Sequence, residues 1–161
     1  MIKLLQLAIW NANGLTQHIE ELKAFILDKH IDILLISETH FTEKSYLKIP
    51  GYLVYHTNHP SASARGGSAI IIKNIIKHYQ LNNYSSNHLQ ATSVSIEDTN
   101  GPLTISAIYS PPRFTIKQNQ YEDYFNTLGR RFISGGDCNA KHTFWGSRIT
   151  TPKGRQLLKT N

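Results

Sequence analysis

Four apolar runs in this 161-residue chain end on, or just before, a polar side chain. Ala8-Ile9-Trp10 runs into Asn11, Leu34-Leu35-Ile36 into Glu38, Ile105 to Ile108 into Tyr109, and Phe132-Ile133 into Asp137 and Asn139. If those runs are strands of neighbouring position, their exits meet at one rim, where α/β proteins commonly hold ligands. Two carboxylates, two amides and a phenol suit a hard divalent cation together with a phosphate. Carboxylates bind magnesium, and neutral donors hold phosphate oxygens without competing for the metal. Each residue alone also has a plainer role. Glu38 could cap the following turn, Tyr109 could be a core aromatic with its polar tip in water, and Asp137-Cys138-Asn139 could be an Asx turn.

The elements that must position these groups follow from hydrophobic period. Residues 3 to 10 read as a buried first strand, and Leu15, Ile19, Leu22, Phe25 and Ile26 have helical spacing. Ile31 to Ile36 reads as a strand covered on both faces. The Pro50-Gly51 turn precedes a short strand at 52 to 56, and a small-residue loop leads into another at 68 to 73. Residues 90 to 97 and 103 to 109 alternate and are joined by turn residues, which predicts a hairpin. A helix is expected over 116 to 128, with Tyr121, Tyr124, Phe125 and Leu128 on one face. A strand follows at 131 to 134, with Gly135-Gly136 breaking it. Thr151-Pro152 is a helix start, with a capping hydroxyl and a proline in the first turn, so 153 to 160 should be helical.

Length and composition bound the rest. A chain of this size forms one domain, 1–161, with a real core, and 40% hydrophobic, 17% charged and 10% aromatic residues exclude a disordered chain. Seventeen Lys and Arg against eleven Asp and Glu give a formal charge of +6, which favours polyanionic partners. The cations are scattered, among them Lys73, Arg113, Arg131, Lys153, Arg155 and Lys159, and each reads as solvated surface. The one cysteine, Cys138, excludes an internal disulfide and a multi-cysteine zinc site, and a reducing compartment is permitted. The histidines, including His40, His59 and His88, lack metal-like spacing and read as surface or turn residues. No run approaches the ~20 apolar residues of a membrane span.

Five motifs, in order, resemble the successive signatures of the endonuclease/exonuclease/phosphatase superfamily. They are Trp10-Asn11-Ala12-Asn13-Gly14-Leu15, Ser37-Glu38-Thr39-His40, Arg65-Gly66-Gly67, Ala107-Ile108-Tyr109-Ser110-Pro111-Pro112 and Gly136-Asp137-Cys138-Asn139-Ala140-Lys141-His142. The continuation through Trp145-Gly146-Ser147 and Gly154-Arg155-Gln156-Leu157-Leu158 resembles the endonuclease domains of jockey-like non-LTR retrotransposons. The resemblance implies a deoxyribonuclease I-like four-layer α/β sandwich, two sheets flanked by helices. It implies a magnesium ion, with manganese as a substitute, held by Glu38 with Asn11 beside it. Tyr109 and Asn139 would contact the scissile phosphate, and Asp137 would orient or deprotonate the attacking water. The implied partners are DNA and a reverse transcriptase domain in the full-length parent, in the nucleus or cytoplasm of the cell.

The family's late aspartate and terminal Ser-Asp-His motif have no counterpart before Asn161. The sequence therefore predicts an N-terminal portion of the domain, a sandwich incomplete at its C-terminal side, low solubility from an open sheet edge, and impaired chemistry. A catalytically dead remnant with residual nucleic-acid binding, and a superfamily member acting on phosphoinositides or another small phosphodiester, are the competing readings.

Overall fold

The computed structural model describes residues 4–160. Two mixed β-sheets face each other, each covered on its outer side by helix. The first sheet has the order β1-β2-β4-β3, formed by β1 (Leu7–Asn11), β2 (Ile33–Ser37), β3 (Tyr52–Thr57) and β4 (Ser68–Lys73). The second has the order β5-β7-β8-β9, with β6 also on β7. Its strands are β5 (His78–Gln80), β6 (Tyr84–Ser86), β7 (Leu89–Asp98), β8 (Gly101–Tyr109) and β9 (Phe132–Asp137). β1 runs parallel to β2 and β8 parallel to β9, whereas the other pairs are antiparallel. A 3-10 turn (Leu15–His18) leads into α1 (Ile19–Asp28), and α2 (Gln118–Asn126) and α3 (Pro152–Leu158) complete the chain. Among the described residues no helix is long and apolar enough to cross a membrane.

Alternation along the strands builds three apolar layers, because successive side chains point to opposite faces. Leu34 and Ile36 of β2 join Leu22 and Ile26 of α1 in the outer layer of the first sheet. Ile33 and Leu35 of the same strand turn inward, with Ile70 and Ile72 of β4, to meet Val94, Ile96, Ile105 and Ala107 of the second sheet. Leu89, Ala91 and Ile108 face outward onto Tyr121, Tyr124 and Leu128. The run at 31 to 36 is buried on both faces because it lies between two such layers.

Most of the expected elements form, with four differences. The first strand begins at Leu7, not before, and is only partly covered, since β1 is an edge strand; Lys3, where it was expected to start, lies outside the described residues. β5 and β6 carry no hydrophobic alternation and exist because β7 offers them an edge. Gly135-Gly136 does not break β9, which continues to Asp137. At Gly135 a Cβ would lie 2.5 Å from Ile9 Cδ1, and at Gly136 (φ +150°) it would run into the Ile108 carbonyl, so these glycines let β9 approach its neighbours. Lys153 is buried rather than solvated.

Candidate active site

The inward-facing position of each strand changes from apolar to polar at one level. Along β2 it reads Ile33, Leu35, Ser37; along β4, in antiparallel register, Ile72, Ile70, Ser68. Val94 then Thr92 and Gln90 on β7 lie opposite Ile105, Ala107 and Tyr109 on β8. Ile133, Gly135 and Asp137 follow on β9 in parallel register with β8. Asn11 ends β1 beside Ser37. The shared register therefore brings Asn11, Glu38, Tyr109 and Asp137 to one rim, and Asn139 lies two residues beyond.

Hydrogen bonds join the two sheets across that rim. The Asn11 amide nitrogen donates to Glu38 Oε1 at 3.0 Å and to Asp137 Oδ2 at 2.8 Å, bridging the two carboxylates. Its oxygen accepts from the Asn13 backbone N–H at 3.0 Å. The Asx turn foreseen as the plainer role of 137–139 is present, with the Asn139 N–H on Asp137 Oδ1 at 2.8 Å. It coexists with the bridge, because the turn uses Asp137 Oδ1 and the bridge uses Oδ2. The Asn139 side chain donates to the Ser110 carbonyl at 3.0 Å. Tyr109 is buried. Burial and the neighbouring Glu38 carboxylate push its phenol far above the ordinary tyrosine range, so it remains a protonated donor.

Among the described residues, four of the six non-glycine residues with positive φ lie at this rim: Asn13, Glu38, His40 and Asn139. Such conformations cost roughly 1–3 kcal/mol each and persist where surrounding structure imposes them. Here the imposing bonds are visible. Glu38 and His40 donate their N–H groups to the carbonyls of Gly67 and Gly66, both at 2.9 Å, and the Glu38 carbonyl accepts from Gly14 at 2.8 Å. The Arg65-Gly66-Gly67 motif thus backs the Glu38 turn. A Cβ at Gly66 would lie 2.7 Å from Gln90 Oε1 and 3.3 Å from Tyr109 Cε1, so only glycine lets this loop press onto Tyr109.

Several contributors escape a reading of motifs. Ser37 Oγ donates to the Ile108 carbonyl and accepts from the Asp137 N–H, both at 2.9 Å, and so sets the height of Asp137 from the opposite sheet. His40, expected at the surface, lies 3.4 Å from Glu38 Oε2. His59 is buried, and desolvation with the nearby Arg65 lowers its pKa, which favours the neutral ring. His142 does not reach the site; its Nδ1 accepts from the Phe144 N–H and caps a 3-10 turn. Cys138 packs against the outer layer of the second sheet as a half-buried thiol, pushed up to about 11 by burial. Beside Tyr109 opens a cleft of about 180 Å³ whose lining includes Arg65, Arg113, His40, His59 and Phe114 and no acidic side chain.

Among the described residues no three His, Cys, Asp or Glu side chains cluster as a ready metal cage. Magnesium needs no such cage, since it commonly takes one or two carboxylates and completes its shell with water and phosphate oxygens. The Glu38 and Asp137 carboxylates, held on one amide, are hard oxygen donors of that kind. The Asn11 amide presents its nitrogen to them and its oxygen to Asn13, so Asn11 acts as a bridge between carboxylates.

Two sheets in this order, with carboxylates, amides and a phenol at the shared rim, define a two-sheet α/β sandwich whose polar rim joins both sheets. The chain belongs to the endonuclease/exonuclease/phosphatase family, whose model matches residues 8–160. It is 42% identical over 153 residues to the RNA-directed DNA polymerase from mobile element jockey of Drosophila melanogaster, and 36% identical over 153 residues to that of Drosophila funebris. Each match takes in 95% of this chain, which spans 17% of the length of those relatives. Among solved structures, the endonuclease domain of TRAS1, a telomere-specific non-LTR retrotransposon, superposes with a TM-score of 0.77 at 24% identity, over 97% of this chain and 70% of that one. The Xenopus laevis APE2 catalytic domain does so at 0.65 and 18% identity, over 94% and 66%. These likenesses bear out the expected deoxyribonuclease I-like sandwich and the retrotransposon kinship.

Proposed function

We propose that this chain is a DNA-nicking phosphodiesterase module of a non-LTR retrotransposon, with magnesium as its metal and manganese as a substitute. The observation that carries the proposal is the convergence of Asn11, Glu38, Tyr109, Asp137 and Asn139 from both sheets onto one rim, bridged by the Asn11 amide. In this reading Glu38 holds the metal, with Asn11 beside it fixing the carboxylate. The metal would supply charge neutralisation on the phosphate when bound. The protonated Tyr109 phenol and the second amide N–H of Asn139 donate to non-bridging phosphate oxygens. Asp137, fixed by Asn11 and by the Asn139 N–H, orients the attacking water and accepts its proton as the phosphodiester is hydrolysed. The acid-free cleft with Arg65 and Arg113 suits a polyanion that continues past the scissile phosphate, which favours DNA over a small phosphodiester. In the longer polypeptide the exposed 3′ hydroxyl would prime the reverse transcriptase, the partner that the relatives' descriptions point to.

Supercoiled plasmid relaxed by the protein with magnesium is the test, run beside Glu38→Ala and Asp137→Ala. Each substitution should slow nicking about 100- to 1,000-fold. Nicking that survives both substitutions overturns the assignment. DNA binding without nicking in the unsubstituted protein would favour the reading of a catalytically dead remnant.

A further inference from the structure

Lys153 is 4% exposed, and the ion pairs among the described residues do not include it. An ammonium so placed has lost its hydration, and the cost is tolerable only where its donors are satisfied. Here they are satisfied by one turn. Lys153 Nζ donates to Ser110 Oγ at 2.7 Å, to the Ser110 carbonyl at 3.4 Å and to the Pro111 carbonyl. Ser110 directly follows Tyr109, and it is a hub. Its N–H donates to the Asp137 carbonyl at 3.0 Å, its hydroxyl donates to the His88 carbonyl at 2.7 Å, and its carbonyl also accepts the Asn139 side-chain amide. Lys153 sits in α3, whose start is fixed by Thr151 accepting from the Gly154 N–H and by Thr151 donating its N–H to the Lys141 carbonyl. A methionine or leucine would fill the same space without desolvating a charge. What an apolar side chain could not do is hold two carbonyls and a hydroxyl of the turn between Tyr109 and Asn139.

We propose that Lys153 is a positioning residue of the rim: its buried ammonium clamps the Ser110–Pro111 turn, and through the Ser110 carbonyl it fixes the Asn139 amide. The catalytic part of this inference rests on the nuclease reading above, whereas the clamp itself does not. Desolvation pushes Lys153 down to about 8, while Cys138 and Asp137 act in the opposite direction. At neutral pH the ammonium thus remains largely protonated and can make all three donations.

The test uses the full chain with Lys153→Met and Lys153→Arg, read in two independent ways. In proton–nitrogen spectra recorded without metal or DNA, Lys153→Met should move the Asn139 side-chain amide and the Ser110 backbone amide, and Lys153→Arg should move them less. In magnesium-dependent plasmid nicking, Lys153→Met should lower kcat about 10- to 100-fold while KM for DNA stays within about threefold, with partial recovery in Lys153→Arg. A merely structural lysine would lower the melting temperature and leave kcat per folded molecule unchanged, and that outcome overturns the proposal. So do unmoved Asn139 and Ser110 resonances in a folded Lys153→Met. If the unsubstituted protein does not nick, the nuclease reading fails and the spectra alone judge the clamp. If Lys153→Met does not fold, Ser110→Ala takes its place. That change removes one Lys153 acceptor, and an unmoved Asn139 amide would overturn the clamp.

Discussion

The inter-sheet layer has two ends built on the same strands, and they differ in everything but backbone. At one end Ile33, Leu35, Ile70, Ile72, Val94, Ile96 and Ile105 interdigitate without a polar atom among their side chains. At the other, two residues further along each strand, the same inward positions hold Ser37, Ser68, Thr92 and Gln90. There Thr92 donates to Thr57 Oγ1 at 2.8 Å and lies 2.9 Å from Ser68 Oγ. The apolar end fixes the distance between the sheets by close packing, which is insensitive to direction. The hydroxylated end fixes their relative height by hydrogen bonds, which are directional. The rim carboxylates stand on the second end because chemistry requires height as well as distance.

This contrast can be broken. Leu35→Ala at the apolar end should cost about 2–5 kcal/mol in denaturant unfolding, from lost burial and the cavity left behind. Nicking per folded molecule should stay near that of the unsubstituted protein. A large loss of nicking in the folded variant would show that the two ends are not separable.

Ser37→Ala is the converse and should be smaller in stability. It leaves the Asp137 N–H without its acceptor and should cost about 1–3 kcal/mol. Asp137 would lose its backbone tie to the first sheet and keep only the Asn11 amide on its side chain, so nicking should fall further than the stability loss accounts for. Equal nicking at equal folded concentration would show that strand pairing with β8 suffices to place Asp137.

The smallest effect concerns pH and sharpens the role of Lys153. Its pKa, lowered to about 8 in the folded chain, returns to the ordinary lysine range on unfolding, near 10.5. Between those values the unfolded chain binds more protons, so this group makes stability rise with pH across the window. Cys138, raised to about 11 from an ordinary 9, acts oppositely at the upper end. The difference in unfolding free energy between the unsubstituted protein and Lys153→Met removes the contributions that the two proteins share and leaves the lysine with its influence on Cys138. That difference should shift toward the unsubstituted protein by on the order of 1 kcal/mol from pH 8 to 10. A flat difference would mean that the ammonium is not desolvated.

What the sequence discloses follows the same division. The strands of the apolar end are legible because Ile33 to Ile36 and Ser68 to Ile72 carry a strong hydrophobic signal, and the 89–109 hairpin is legible from alternation and turn residues. The polar groups at strand exits are legible because apolar runs stop at them. β5 and β6 are not, since three polar residues have no period, and a partner edge supplied by β7 is a property of the fold alone. Gly135-Gly136 reads as a break because glycine usually marks one. Whether it marks a break or a close approach depends on Ile9 and Ile108, neither of which is near it in sequence. Lys153 reads as surface because lysines are almost always solvated. Its acceptors lie 42 and 43 residues away, and no local pattern announces them.

The Asn11 amide meets Asp137 across a separation of 126 residues, and few contacts in the chain close so long a loop. Bringing such distant segments together is entropically slow, so the bridge belongs to the late stages of folding. As the chain leaves the ribosome, β1 and β2 can pair and present Glu38 long before β9 has been synthesised. Throughout that interval the Asn11 amide has only the Glu38 carboxylate to hold, and the rim is half built. Completion of the candidate site is thereby tied to the arrival of β9, a built-in delay between making the first half of the rim and joining it to the second.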